Sequence, residues 1–561
     1  MVFLSIEGPV SYAQERIWLD EQVRFDQQKA PIAMYNVPFV FKLESGQLSI
    51  QRLRQALSLV ISKHHTLRTM LQFHDDCLWQ RILPVAEQNF EFNESFILND
   101  EELTAIIINE EINRSLFDTE QGRNVRLHIV RRHSDNEKKD KLVSNDIIIL
   151  NFHHSAFDGS SIKPFFTDFA DAYRNQELAP FDSNTMTYLD YASYERSLDF
   201  TQNKQFWEKT LYGYDFTKYI ALPYDHPECL AFPRSGRGET LSFELNTQLV
   251  HSIMHFSSET NVSLYQVFLA SYFVYLFKLT QNESDLYVLS VFANRLRHEF
   301  HSLVGMFVNT IPYRLQLDPQ CSFNEFVITV QNFLIKALVH SQLPYQQIVS
   351  PNSIAANTLF LFETNEEYIA SDIMSTIDNV RFSYAGAENG NRSRVATFDL
   401  TLAIQYDSNS KHMKLLFNYS KDLFEECTIN TMAQRFHILL RQLFEQNTRR
   451  QQPIFSASLL LPNEMKLQQA LNDTKLEYQE DNEQQRVRGT IGQCFSQQAA
   501  NLSQKVAIEL DEQSLTYSEL LYYAQQLALH LMINYDLRSG DIVCQCMKRS
   551  LSMVSSSETN A

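Results

Sequence analysis

Asp146-Ile147-Ile148-Ile149-Leu150-Asn151-Phe152-His153-His154-Ser155-Ala156-Phe157-Asp158-Gly159-Ser160-Ser161 is the stretch on which the reading of this chain turns. Ile147 to Phe152 is a β-branched, apolar run of strand length. Asp158-Gly159 is a turn signal. Beyond it Ile162, Phe165, Phe166, Phe169 and Tyr173 recur at helical spacing, and Pro164 suits a first helical turn. The histidine pair therefore closes a buried strand, and Asp-Gly opens the turn into a helix. Successive strand side chains face opposite ways, so one of the two histidines can line a given cavity. An imidazole takes a proton near neutrality or orients a nucleophile by a hydrogen bond. Asp158 can fix the loop by pairing with a cation or with backbone N–H groups, and Gly159 lets a substrate pass close to the backbone.

The chain carries its own control, His64-His65, which follows the helical stripe Ile50, Leu53, Leu57, Val60, Ile61 and has no Asp-Gly behind it. A bare histidine pair is more often structural or solvated than catalytic. The strand, the turn and the helix lift the second pair above the first.

The 561 residues allow three or four domain-sized units, or fewer large ones, and 40 Phe with 25 Tyr supply ample core. Thirteen glycines are few for glycine-rich phosphate loops. A net charge of −19 argues against nucleic acid and against an anionic membrane surface as partners. The seven cysteines are scattered and odd in number, which reads as reduced thiols and a cytoplasmic location. The N-terminus lacks the basic start and long apolar core of a signal peptide. Val267 to Leu279 is too short to span a bilayer and reads as a buried helix.

Outward from the central stretch, Ser11 to Leu19 reads as a helix with Ala13, Ile17 and Trp18 on one face. Ser49 caps a helix to about Ile61. Leu67 to Leu71 reads as a strand and Leu103 to Leu116 as a helix. Val125, Leu127 and Ile129 alternate as a half-buried strand, expected beside the central one. Arg131 to Lys141 reads as a solvated loop. A lobe boundary is expected in the polar stretch Asn175 to Asn184, followed by a helix led by Tyr188. Further on come a long helix at 262–279, a strand Leu286 to Phe292 running into Arg295, a strand or loop Leu303 to Thr310 ended by Pro312, and a helix at 428–445. Polar residues 446–453 and 463–489 suggest a connector, after which a new globular pattern begins at about Thr490. The final Ser-Ser-Ser-Glu-Thr-Asn-Ala does not continue it.

Taken in order, these landmarks resemble the condensation domain of nonribosomal peptide synthetases, within the two-lobed acyltransferases that include chloramphenicol acetyltransferase. The resemblance covers about residues 8–450. Ser11 to Leu19 is similar to the opening motif, and His65-Thr66-Leu67-Arg68-Thr69 to the second. His153-His154-x-x-x-Asp158-Gly159, with Ser161, is similar to the active-site signature. Tyr188-x-Asp190-Tyr191-Ala192, Gly305 to Thr310 with Arg314, and His340 to Tyr345 are similar to the next three. Phe398 to Thr401 and Asp422-Leu423-Phe424 also recur. The charged motif the family carries after the sixth is missing at residues 350–358. The tail resembles the start of an adenylation (AMP-binding) domain through Leu515 to Leu520, Gly540-Asp541 and Arg549 to Leu551, but without its phosphate loop, ATP-site motifs or catalytic lysine.

The resemblance implies an α/β (α+β) fold of two chloramphenicol-acetyltransferase-like lobes in a V with a tunnel between them, plus a small incomplete C-terminal α/β fragment. The implied divisions are an N-lobe at 1–178, a C-lobe at 179–450, a linker at 451–489 and the adenylation fragment at 490–561. It implies that donor and acceptor carrier domains of upstream and downstream modules bring substrates on phosphopantetheine arms, with no covalently bound cofactor and no metal. His154 is then expected to hold or deprotonate the attacking amine, and His153 to be structural. Asp158 is expected to pair with Arg295, which ends a strand in the second lobe, while Gly159, Ser161 and Asn309 are expected along the tunnel. Three alternatives stand beside this reading: a non-catalytic carrier-docking domain of the same fold, a related chemistry such as epimerisation, and an incomplete product of a larger synthetase gene. Heterocyclisation is disfavoured, because it replaces the histidine pair with paired aspartates.

Overall fold

The computed structural model describes residues 6–25, 32–86, 89–132, 140–181, 185–231, 233–349, 358–364, 366–377, 380–385, 393–446, 448–472, 491–510 and 513–535. The chain divides into two compact units, Met1–Lys466 and Leu467–Ala561.

The first unit is built on two sheets. The first has five strands in the order Arg381–Tyr384, Asn36–Ser45, Ile147–His153, Val125–Arg131, Glu91–Phe96, antiparallel except for the last pair. Ile147–His153 is its middle strand and is buried along all seven residues. Its alternation sorts the side chains into two layers. Ile148, Leu150 and Phe152 pack with Leu53, Leu57, Val60, Phe165, Phe166 and Phe169 from the helices Ile50–Lys63 and Ile162–Asn175. Ile147 and Ile149 pack on the other face with Leu103 of the helix Asp100–Ile112. Asn151, on that same face, donates from Nδ2 to buried Glu110 Oε2 at 2.9 Å, and Glu110 also receives Arg126 Nε (2.9 Å) and His128 Nδ1 (2.7 Å). A buried carboxylate persists only with such partners.

The second sheet has six strands in the order Gly238–Glu244, His412–Ser420, Leu400–Asp407, Thr358–Thr364, Asp285–Phe292, Asn309–Gln316. Thr358–Thr364 runs parallel to both neighbours and the other pairs are antiparallel. The helices Thr247–Thr260, Leu264–Leu279, Phe323–Val339 and Glu426–Glu445 share one large core with this sheet. Leu264–Leu279 is apolar all round because it is buried from Val267 to Phe277. Among the described residues no single helix is long and apolar enough to cross a membrane.

Several expectations need correction. His65–Arg68 is a 3-10 turn, and the strand begins only at Thr69. The helix expected to reach Leu116 ends at Ile112 and yields to a separate turn at Arg114–Leu116. Val125–Arg131 is buried throughout rather than half-buried, because both faces of its sheet are covered. Arg131 belongs to that strand and pairs with Glu94 at 2.9 Å, while residues 133–139 of the expected solvated loop lie outside the described residues.

Pro312 does not end a strand. It sits inside Asn309–Gln316 opposite Leu289, tolerated because this strand is the sheet edge and needs no outward N–H donor. The boundary at residue 178 does not separate the sheets either. Glu366–Met374 packs on Ile162–Asn175, and Arg381–Tyr384 pairs with Asn36–Ser45, so a segment of the expected second lobe completes the first sheet. The expected linker begins later than residue 451: Ile454, Ala457 and Leu459 are buried in the second-sheet core, and a helix runs over Pro462–Asn472. Residues 473–490 and the altered stretch 350–357 lie outside the described residues.

In the second unit the helix Ile491–Asn501 leads to the hairpin Val506–Leu510/Gln513–Thr516 and the helix Tyr517–Tyr535. Gly540-Asp541 and Arg549 to Leu551 lie outside the described residues.

Candidate active site

The active-site stretch is held by two independent anchors. The last strand residue, His153, continues the Asn151 face. Its Nε2 is 3.1 Å from Glu21 Oε1 and its Nδ1 is 2.7 Å from Ser155 Oγ. Burial alone would raise the Glu21 carboxyl, but His153 and Arg114 outweigh it and hold Glu21 below the usual carboxylate range. His153 thus ties the strand end to the π-helical turn Asp20–Arg24.

The second anchor crosses between the sheets. Arg295 Nη2 lies 2.8 Å from Asp158 Oδ1, with both side chains buried. Arg295 Nη1 also donates to Leu303 O at 2.7 Å, and its guanidinium lies 4.0 Å from the Phe307 ring centre. Asp158 Oδ2 receives the Phe307 N–H at 3.0 Å, and Oδ1 caps the turn Gly159–Ser161 through Ser161 N at 2.9 Å. A carboxylate with this many donors fixes both the loop after His154 and the loop 301–308. That second loop passes very close to Tyr188. A Cβ on Gly305 would lie 2.3 Å from Tyr188 Cδ2, which is why no side chain fits there. Tyr188 OH donates to Met306 O and receives Ser11 Oγ–H at 2.8 Å, tying in the opening helix.

Between these anchors His154 faces the other way from His153, on the Phe152 side. Its Nδ1 donates to Phe157 O at 2.7 Å, which fixes the ring orientation and the tautomer. Burial pushes the imidazole below its usual value, and Arg16 adds to this, against the opposing pull of Phe157 O and Asp158. The ring is therefore neutral at pH 7, and among the described residues nothing is hydrogen-bonded to Nε2. His154 lies on the wall of a cavity of about 980 Å3 that also takes in Arg16, Tyr35, Gly159 and Met306, with Val37 from the first sheet and Leu361 from the second. A free imidazole nitrogen in a cavity of this size can accept a proton or a hydrogen bond from a bound nucleophile.

A model of the condensation domain matches residues 6–467 of this chain. The chain belongs to the condensation-domain family. This condensation domain is 27% identical over 559 residues to tyrocidine synthase 2 of Brevibacillus parabrevis, and 24% identical over 561 residues to malpinin synthetase of Mortierella alpina. Both alignments take in 97% of the chain, which spans only 14% and 7% of those proteins. Among solved structures it resembles the X-domain from teicoplanin biosynthesis, with a TM-score of 0.67 at 19% identity over 82% of this chain and 99% of that one. It also resembles a four-domain nonribosomal peptide synthetase bound to AMP and glycine, with a TM-score of 0.67 at 18% identity over 96% of this chain and 39% of that one.

Not every expected site residue of the condensation domain lies where the sequence suggested. Gly159 is on the cavity wall. Ser161 is not. It is fully buried, donates to Asp158 Oδ1 at 2.7 Å and receives Gly305 N–H and Arg295 Nη2, each at 3.1 Å, so it belongs to the anchor. Asn309 is also off the wall. Its Nδ2 donates to Ser341 O (2.8 Å) and Leu343 O (2.7 Å), and its Oδ1 receives Tyr345 N–H (3.2 Å), binding the edge strand to the following loop. The residues missed from sequence are Arg16 and Glu21. Arg16 lies on the cavity wall and is held by Val308 O at 3.1 Å and by Thr310 Oγ1. Its place in the opening motif was the available signal.

Proposed function

We propose that this chain forms an amide bond between a carrier-bound acyl or peptidyl thioester and the α-amine of a carrier-bound aminoacyl acceptor in nonribosomal peptide synthesis. The observation that carries this reading is the free Nε2 of a neutral, oriented His154 on a cavity wall that both sheets build. The substrates are expected on phosphopantetheine arms entering the cavity from opposite sides.

The acceptor nitrogen attacks the thioester carbon, the C–N bond forms, and the C–S bond breaks to release the donor carrier's thiol. The nitrogen must shed one proton, and the departing sulfur takes one up. His154 Nε2 accepts the N–H hydrogen bond during attack and can pass that proton to the sulfur. A thioester is already activated, so holding the two arms together supplies most of the acceleration. Asp158 and Arg295 keep the loop in place.

The same fold occurs in the X-domain that was solved in complex with OxyB, and a docking role without chemistry is the second reading. Purified chain mixed with two carriers, one loaded with an Nα-acylated residue and the other with a free aminoacyl group, separates the two. Amide product on the acceptor carrier is the expected outcome. Carrier binding with no product across a panel of loaded residues would favour docking.

We further propose that residues from about 490 are the beginning of an adenylation domain. Support comes from relatives that align over 97% of the chain and a four-domain synthetase that superposes over 96% of it. Because the ATP-site motifs have no counterpart in this sequence, ATP–pyrophosphate exchange by the chain alone is expected to be absent, and measured exchange would overturn that.

A further inference from the structure

The cavity has a polar end that the proposed chemistry does not use. Glu363 stands opposite Gln405, Gln405 opposite Lys414, and Lys414 opposite Glu244, so these four form one row across four strands of the second sheet. All four lie on the cavity wall with His154. Strand alternation places Leu359 and Leu361 on the same face as Glu363, and both also line the cavity, whereas Phe360 packs into the core behind. The face thus offers an apolar rail of about 13 Å, four residues at the usual rise, ending in a carboxylate.

That carboxylate is poorly matched within the protein. Gln405 Nε2 donates to Glu363 Oε2 at 3.3 Å, and among the described residues no Lys, Arg or His forms an ion pair with it. Protein surrounds the side chain, which raises its carboxyl above the usual range, yet it stays exposed because it faces the cavity. The neighbouring acids are already engaged. Glu244 pairs with His412 at 3.2 Å, and Asp407 receives Asn409 N–H at 2.9 Å. Lys414 is two strands from Glu363, roughly 10 Å at the backbone. Three carboxylates against the Lys414 ammonium and, at most, one imidazolium, His412, leave this end of the cavity net negative. A carboxylate that faces a cavity without a counter-ion is open to a charge-assisted hydrogen bond from a cationic ligand.

We propose that this row is a recognition subsite, in which Glu363 binds a cationic amine or guanidinium at the end of an aliphatic substrate chain lying along Leu359 and Leu361. The inference rests on the condensation reading for the identity of the chain as a carrier-bound residue. The cation could belong to the donor or to the acceptor.

Isothermal titration of the full chain with unreactive pantetheine amides tests it. The acceptor-type series carries lysyl, norleucyl and glutamyl groups with a free α-amine, and the donor-type series carries the same groups Nα-acetylated. In one series the lysyl probe should bind at least ten-fold more tightly than the norleucyl probe, about 1.4 kcal/mol, and that series identifies the substrate concerned. Glu363→Gln should bring the ratio close to one and leave norleucyl binding unchanged. Equal lysyl and norleucyl affinities in both series, tighter glutamyl binding, no binding of any probe, or an unchanged ratio in Glu363→Gln would each overturn the proposal. Because these probes cannot react, a retained lysyl preference without amide formation in the carrier assay would count against the catalytic reading alone.

Discussion

At the scale of single residues, the site separates what reacts from what holds. His154 keeps Nε2 unprotonated because burial and the Arg16 charge disfavour the imidazolium. Its protonation is therefore half complete only below pH 6.5, the unperturbed value. The expected rate of amide formation loses an acid limb only below that pH, while a second limb near pH 8 reports the acceptor's own ammonium. A rate profile with a histidine limb above 6.5 would contradict the assignment. The Asp158–Arg295 pair has a different role. Arg295→Leu leaves a buried carboxylate facing the Phe307 and Ser161 N–H groups without its cation, and should cost about 3–5 kcal/mol of stability in urea unfolding. A loss below about 1 kcal/mol would mean the pair does not fix the loop. The Asp158–Arg295 pair and the placement of His154 and Gly159 on the cavity wall were legible in sequence because a strand, a turn and a strand-end cation are local patterns. Ser161 and Asn309 were misplaced because their partners, Gly305 and Ser341–Leu343, are 144 and over 30 residues away.

At the scale of elements, the loop 301–308 depends on the close approach of the Gly305 backbone to the Tyr188 ring. Gly305→Ala must displace the Tyr188 ring, which is packed against Phe307 at 5.1 Å between ring centres and bonded to Met306 O. Overpacking of this kind costs about 1–3 kcal/mol, and the expected readout is a lowered urea midpoint at unchanged slope. A variant as stable as the wild type would show that the loop relaxes freely. The elements themselves were largely readable: Ile147–His153, Ile162–Asn175 and Leu264–Leu279 follow directly from strand runs and helical stripes. What sequence could not give was register. Glu363, Gln405, Lys414 and Glu244 are spread over 171 residues from Glu244 to Lys414 and meet only through cross-strand pairing. Pro312 misled because its meaning depends on whether a strand is central or at an edge.

At the scale of the whole molecule, the two-sheet architecture of the first unit serves one end, a cavity whose wall draws on both sheets. The segment Arg381–Tyr384 crosses back to the first sheet, and Arg295 reaches the loop after His154, so the two halves are linked by backbone pairing and by charge. A strand of four residues carries little signal, and the lobe boundary drawn from the polar stretch at 175–184 missed the crossing. The separate compactness of the two units implies that a chain ending at Asn472 keeps the cooperative unfolding of the first unit. Thermal unfolding by circular dichroism checks this, and loss of the transition would mean the second unit is needed for the fold. Rapid-quench measurement of amide formation between two loaded carriers, at saturating concentrations, compares wild type with His154→Ala directly. Product is expected from the wild type, with a rate about 10²–10⁴-fold lower in the variant. Amide formation by His154→Ala at the wild-type rate would contradict this expectation.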